Sequence, residues 1–289
     1  MHEKHKKSNL FTNPFGHFHI IKRILLFIFG IISYNRYNGF NKLKIKGTEN
    51  IKNLPDRSVL FVSNHQTYFA DVFAMYHVMC SVKNGYDNTI KNPIYLLNPK
   101  IDMYYVAAEE TMNKGFLTKV FKYAGAITVK RTWRAGGKDV KRQVDFSEIT
   151  NIGIALEDGW VITFPQGTTT AFMPGRKGTA HIIKKFKPIV VPVVIDGFRR
   201  SFDKKGLRVK KRGVQQSMIF KAPLVFEENE SSDSIMKKVM DAIEQSPEFL
   251  KVKSLEEILT PTEEDLRPDS FFELDDPMIE SEDETTEDA

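Results

Sequence analysis

The residues with the clearest chemical potential follow the apolar run Val59–Ser63, which leads into Asn64, His65, Gln66, Thr67, Tyr68, Phe69, Ala70 and Asp71, and then into an apolar helical stretch. A histidine at a strand-to-helix turn is well placed to move a proton. With an ordinary pKa near 6.5, neutral imidazole can accept a proton at cellular pH, and a neighbouring carboxylate fixes its tautomer and stabilises the imidazolium. Asp71 is the candidate partner. The same two residue types six positions apart also occur as surface or capping pairs, and in a regular helix such positions stand about 240° apart. Contact therefore requires His65 to lie in the turn before the helix begins.

Two further clusters end apolar runs in the same way. Arg131 follows Ala126–Lys130, where a guanidinium can reach out and hold a phosphate through two parallel hydrogen bonds. Its neighbours Trp133, Arg134, Lys138, Lys141 and Arg142 fit an ordinary solvated face. The run Val161–Phe164 passes into Pro165, Gln166, Gly167, Thr168, Thr169 and Thr170. Glycine there lets the backbone approach a ligand, and the threonines offer hydroxyls and amides to an oxyanion or an acceptor, although a plain β-turn and helix cap has the same composition. Cys80, among Met75, Tyr76, Val78 and Met79, reads as a buried inert thiol. His181 reads as a packed or surface helix residue.

The elements that must position these residues alternate as in an α/β fold. Strands are expected at Leu43–Lys46, Val59–Ser63, Tyr104–Ala107, Ala126–Lys130, Val161–Phe164, Ile189–Ile195 and Met218–Phe220. Helices are expected at Phe69–Val82, Thr111–Tyr123, Lys141–Glu157, Thr179–Phe186 and Ser232–Glu244. Pro192 inside the sixth strand argues for a place near an edge or a bulge. With no internal repeat and no Gly- or Ser-rich linker, one catalytic domain over residues 41–253 is the economical reading.

The 289 residues, 41% of them hydrophobic, suffice for a large core, and one cysteine permits no internal disulfide. The net charge of +5 conceals an asymmetry: Ser254–Ala289 carries fifteen Asp or Glu against one Arg, leaving residues 1–253 at +19. The acidic end, with Pro261, Pro268 and Pro277, reads as a disordered tail that either solubilises the chain or covers its basic face. A basic body attracts anionic partners, among them a phospholipid surface, a phosphorylated cofactor, an acidic carrier protein or nucleic acid. No nucleic-acid motif accompanies that charge, and Lys204–Arg212 reads as an exposed hairpin.

Residues 1–40 form a separate segment. Phe15, Phe18, Ile21, Leu25, Ile28 and Ile32 recur at helical spacing between basic flanks that include Lys22, Arg23 and Arg36. The longest apolar run, Ile24–Ile32, has nine residues, where a membrane span needs about 20. A helix lying in the membrane plane fits this pattern, as does a helix docked on the protein's own core. A cleaved signal peptide is disfavoured, since no small-residue cleavage site follows.

Taken in order, SNHQTYFAD, GAITVKR, FPQGT, RKGTAH and IVVPVVI resemble the motifs of the glycerolipid acyltransferase family, over about Gly47–Ile195. The resemblance implies a mixed, mostly parallel sheet flanked by helices, preceded by a membrane-associated helical segment. It implies His65 as general base and Asp71 as its orienting partner. Arg131 would bind an acceptor phosphate, with Lys130 beside it, and Gln166, Gly167 and Thr168 would line the substrate site. Lys177, Gly178 and Pro192 match further family positions. The reaction implied moves a fatty acyl group from acyl-CoA or an acyl carrier protein to the free hydroxyl of a lysolipid, foremost 1-acyl-sn-glycerol-3-phosphate. It needs no metal or cofactor beyond the donor. The place implied is the cytoplasmic face of the inner membrane.

Two departures accompany the likeness. Five residues separate His65 from Asp71 where the family has four, so the turn must absorb one more. Gln166 and Thr169 stand where the family has Glu and Arg, which removes an acid and a cation. They admit a lyso-aminolipid acceptor, such as an ornithine or glycine lipid, or a non-catalytic lipid binder with a degenerate site.

Overall fold

The computed structural model describes residues 8–108, 116–129, 134–135, 138–139 and 146–251. In chain order the elements are α1 (His19–Asn38), β1 (Lys42–Lys46), β2 (Val59–Ser63), α2 (Ala70–Lys83), β3 (Met103–Ala108), α3 (Phe116–Tyr123) and β4 (Ala126–Val129). A small antiparallel pair, β5 (Arg134–Ala135) and β6 (Lys138–Asp139), precedes α4 (Phe146–Asp158), β7 (Trp160–Thr163) and α5 (Lys177–Phe186). The chain closes with β8 (Ile189–Asp196), the one-turn α6 (Phe198–Ser201), β9 (Gln215–Phe220) and α7 (Ser232–Ala242).

Seven of these strands form one sheet in the order β1-β9-β8-β2-β7-β3-β4. All neighbouring pairs are parallel except β8 with β9. The sheet is therefore mixed and mostly parallel, with helices on both faces. Alternation along β2 shows why: Val59 and Phe61 enter the core that holds α1 and α2, whereas Leu60 and Val62 enter the one that holds α4, α5 and α7. A strand apolar on both faces must be covered on both, and every residue of β2 is buried. Helix α2 obeys the same rule, being apolar almost all round and buried over eleven of its fourteen residues.

The parallel register sets Val62 beside Thr163 on one side, and Ser63 beside Val193 on the other. The turns leaving β2, β7 and β8 consequently emerge together at the carboxyl end of the sheet, where open α/β sheets bind ligands. Pro192 corrects the edge expectation, because β8 is an interior strand between β9 and β2. The proline is tolerated for a local reason. Its carbonyl accepts Lys221 N–H at 2.9 Å, so its nitrogen faces the β9 side, where that strand has already ended at Phe220. Residues Lys204–Arg212 lie on a short hairpin closed by the antiparallel Phe202–Val209 bridge.

Helix α1 presents two unlike faces. Lys22, Leu26, Gly30, Ser33 and Tyr37 face inward, tied down by bonds from Lys22 Nζ to Met103 O (3.0 Å) and between Ser33 Oγ and His77 Nε2 (2.8 Å). The opposite face exposes Ile20, Ile21, Ile24, Ile28, Ile31 and Ile32. Among the described residues, no helix is long and apolar enough to cross a membrane.

Candidate active site

The turn after β2 brings His65 to Asp71. Asn64 first anchors it: its side-chain amide exchanges two 2.8 Å hydrogen bonds with the backbone N–H and C=O of Ile195 in β8. Helix α2 starts at Ala70, leaving His65 outside it and Asp71 in its first turn. The Asp71 carboxylate accepts from Gln66 N–H (2.6 Å), Thr67 N–H (3.1 Å), Thr67 Oγ1 (2.8 Å) and His65 Nδ1 (2.8 Å). The extra residue is absorbed by this turn, and the carboxylate is what winds it. Four donors and a helix N-terminus offset the desolvation of a carboxylate with no solvent exposure.

With Nδ1 held by a carboxylate, imidazole keeps its proton there and leaves Nε2 as a lone-pair acceptor. The ring is 11% exposed. It stacks on Phe164 at 3.8 Å between centroids and 20° between planes, and Tyr68 meets it edge-on at 6.2 Å. Phe164 belongs to the turn after β7, so the first and third sequence clusters touch through two aromatic rings.

The loop 203–208 and helix α1 brace this site from outside. Gly206 sits at φ +74°, and a Cβ there would lie 2.6 Å from Ala70 N and 2.8 Å from Thr67 Oγ1, so only glycine lets the loop close over the start of α2. Tyr37 donates to Ala70 O at 2.7 Å, and Arg36 to Gly206 O at 3.1 Å. The N-terminal helix is thus fastened to the same turn that holds His65.

Gln166, read as lining the substrate site, is buried, and its Nε2 donates to Met173 O (3.0 Å) and Gln245 Oε1 (3.3 Å). It fastens the 166–173 loop to the residues after α7. Gly167 takes φ +65° and closes the turn by donating to Phe164 O at 2.9 Å. Thr168 Oγ1 accepts from Thr170 N–H at 3.2 Å. Lys130 and Arg131, with Trp133, Lys141 and Arg142, lie outside the described residues, as does the acidic end. Cys80 is fully buried and its thiol is pushed up to about 11 by that burial, while His181 is exposed.

Sequence reasoning missed α6. Gln66 Oε1 accepts from Phe198 N–H (2.9 Å) and Arg199 N–H (3.2 Å), and the Arg199 guanidinium donates to Thr169 O. The signal was present as two arginines a few residues beyond the buried strand β8, at the end of the sheet where ligands bind.

A small apolar cavity, partly open to solvent, lies between α1, α2 and β3, lined by Leu26, Phe29, Phe69, Phe73, Tyr105 and Phe121 among others. Phe69 ends the His65 turn, and Ile162, also in its wall, lies two residues before Phe164.

A family model described as Acyltransferase matches residues 42–196. The crystal structure of the 1-acyl-sn-glycerophosphate (LPA) acyltransferase PlsC from Thermotoga maritima is similar, with TM-score 0.51 and 18% identity over 82% of each chain, a likeness of fold. No curated protein matches the chain.

Proposed function

The chain belongs to the acyltransferase family, and on that premise we propose that it esterifies the free hydroxyl of a lysolipid, foremost 1-acyl-sn-glycerol-3-phosphate, with a fatty acyl group from acyl-CoA or acyl carrier protein. The observation that carries this reading is the 2.8 Å contact between His65 Nδ1 and Asp71, which leaves Nε2 to act as the base. In the step proposed, Nε2 takes the proton of the acceptor hydroxyl as its oxygen bonds to the thioester carbonyl carbon. The tetrahedral oxyanion is held by backbone amides of the Phe164–Thr170 turn. Collapse breaks the C–S bond, and the departing thiolate recovers the proton from the imidazolium. The products are an ester and a free thiol. The apolar cavity beside Phe69 suits the acyl chain.

The setting proposed is a membrane surface on the cytoplasmic side, with the protein peripheral or monotopic. The exposed isoleucine face of α1 supports it, since six half-exposed isoleucines in a row are an uncommon surface for water. Each gains roughly 1 kcal/mol on moving into lipid. Gln166 and Thr169, neutral residues at positions where the family carries an acid and a cation, also favour a second acceptor class, the lyso-aminolipids.

The test is acyl transfer by purified protein in detergent, with acyl-CoA and acyl carrier protein donors crossed against lysophosphatidic acid and lyso-aminolipid acceptors. Ester formed with lysophosphatidic acid supports the first reading, and ester formed only with the aminolipid supports the second. No ester from any pairing contradicts both.

A further inference from the structure

We infer that Arg199 binds the phosphate of the acceptor and so selects an acceptor whose phosphate neighbours the reacting hydroxyl. The inference rests on the acyl-transfer reading above. Arg199 is half-buried in α6, immediately beyond β8, and its position is fixed from two sides. Its backbone N–H donates to Gln66 Oε1, the residue next to His65. Its guanidinium donates to Thr169 O, in the turn whose Phe164 ring stacks on His65. The cation therefore bridges two segments that each touch or adjoin the proposed base.

Among the described residues no carboxylate pairs with Arg199, whereas its neighbour Arg200 is paired with Asp196 at 3.2 Å. A guanidinium carries five N–H donors in a planar fork, and the bond to Thr169 O occupies one of them while orienting the plane. The remaining donors suit a phosphate, which two parallel hydrogen bonds can hold. A loop lacking an arginine of its own at Thr169 thereby has one delivered against its carbonyl from another element.

The phosphate could belong to either substrate, and covalent distance separates the two. In lysophosphatidic acid the hydroxyl-bearing carbon is bonded directly to the carbon that carries the phosphate ester. An acceptor with its hydroxyl at His65 must therefore place its phosphate within a few bonds of that ring. The phosphates of the donor stand a whole pantetheine arm away from the thioester. A cation anchored to the two segments that adjoin His65 is matched to the acceptor.

The experiment measures initial rates for wild type, Arg199→Gln and Arg199→Lys, with lysophosphatidic acid and with monoacylglycerol, its counterpart lacking the phosphate, as acceptors. Arg199→Gln is expected to raise the KM for lysophosphatidic acid by about ten- to hundredfold, the loss of a charge-assisted hydrogen-bond pair. The preference for lysophosphatidic acid over monoacylglycerol should fall by the same factor, and Arg199→Lys should recover part of it. Equal loss on both acceptors would mean that Arg199 only holds the loop, and a raised donor KM would assign it to the donor phosphates; either result overturns the inference. An active wild type with unaltered Arg199→Gln kinetics overturns this inference alone. An inactive wild type overturns the acyl-transfer reading and the inference together.

Discussion

Replacing Asp71 by Asn separates charge from shape with little disturbance. In the native site Oδ2 receives His65 Nδ1, Gln66 N–H and Thr67 N–H, and Oδ1 receives Thr67 Oγ1. An asparagine can place its carbonyl oxygen at the Oδ2 position and keep three donors. Its amide nitrogen can then donate to Thr67 Oγ1, because a hydroxyl accepts as readily as it donates. The turn should survive, at a stability cost of about 1–2 kcal/mol for lost charge assistance. The catalytic cost is larger. A full charge 2.8 Å from the ring stabilises the imidazolium by at most roughly 6 kcal/mol at an effective dielectric of about 20, and other donors share that charge. A fall in kcat of roughly 10³ to 10⁴, equivalent to about 4–5.5 kcal/mol, is expected, the scale on which a histidine's orienting carboxylate matters elsewhere. Thiol release at saturating donor and acceptor reads kcat, and urea unfolding reads stability. A folded Asp71→Asn enzyme keeping more than a tenth of wild-type kcat would refute the argument, since neither charge nor tautomer would then matter at His65.

Other expectations come from parts of the structure that perform no chemistry. His77 is fully buried between Ser33 Oγ (2.8 Å) and Tyr95 Oη (2.9 Å), and burial lowers its pKa to about 3. Because the unfolded chain takes up this proton near pH 6.5, the stability from neutral His77 is complete above that pH. It declines by about 1.4 kcal/mol per unit as pH falls toward 3; the urea midpoint should fall less between pH 7 and pH 5 in His77→Gln than in wild type, and an equal fall would contradict it. Ile24→Asp with Ile28→Asp should cut sedimentation with anionic vesicles severely while leaving the activity in detergent, and unaltered sedimentation would count against the α1 face. Gly206→Ala is expected to cost roughly 1–3 kcal/mol, from positive φ and contact with Ala70, and to lower kcat through the His65 turn; a neutral effect on both would show that the loop does not brace the site.

The strands and the dyad were legible in the sequence for one reason. Strands buried on both faces, such as Val59–Ser63 and Ile189–Asp196, must be nearly continuous apolar runs, and the chemistry follows where such runs stop. The His65–Asp71 contact was legible only as a condition on where α2 starts, which four hydrogen bonds to one carboxylate then satisfy. Less legible was the orientation of α1, whose two faces both carry apolar residues. Periodicity cannot tell Leu26 and Tyr37, which dock, from Ile24 and Ile28, which do not. Helix α6 has a single turn and no period, so Arg199 went unread. The anchoring of Gln166 was not legible either, because its partner, Gln245, is 79 residues away. Pro192 misled because tolerance of a missing N–H depends on where a neighbouring strand ends, which sequence alone does not state.

The most direct test of the central claim compares wild type with His65→Ala in acyl transfer from acyl-CoA and acyl carrier protein to lysophosphatidic acid, with vesicle binding measured on the same preparations. The account predicts ester and free thiol from wild type, loss of both in His65→Ala, and equal vesicle binding by the two proteins. Transfer by folded His65→Ala at the wild-type rate would contradict His65 as the base.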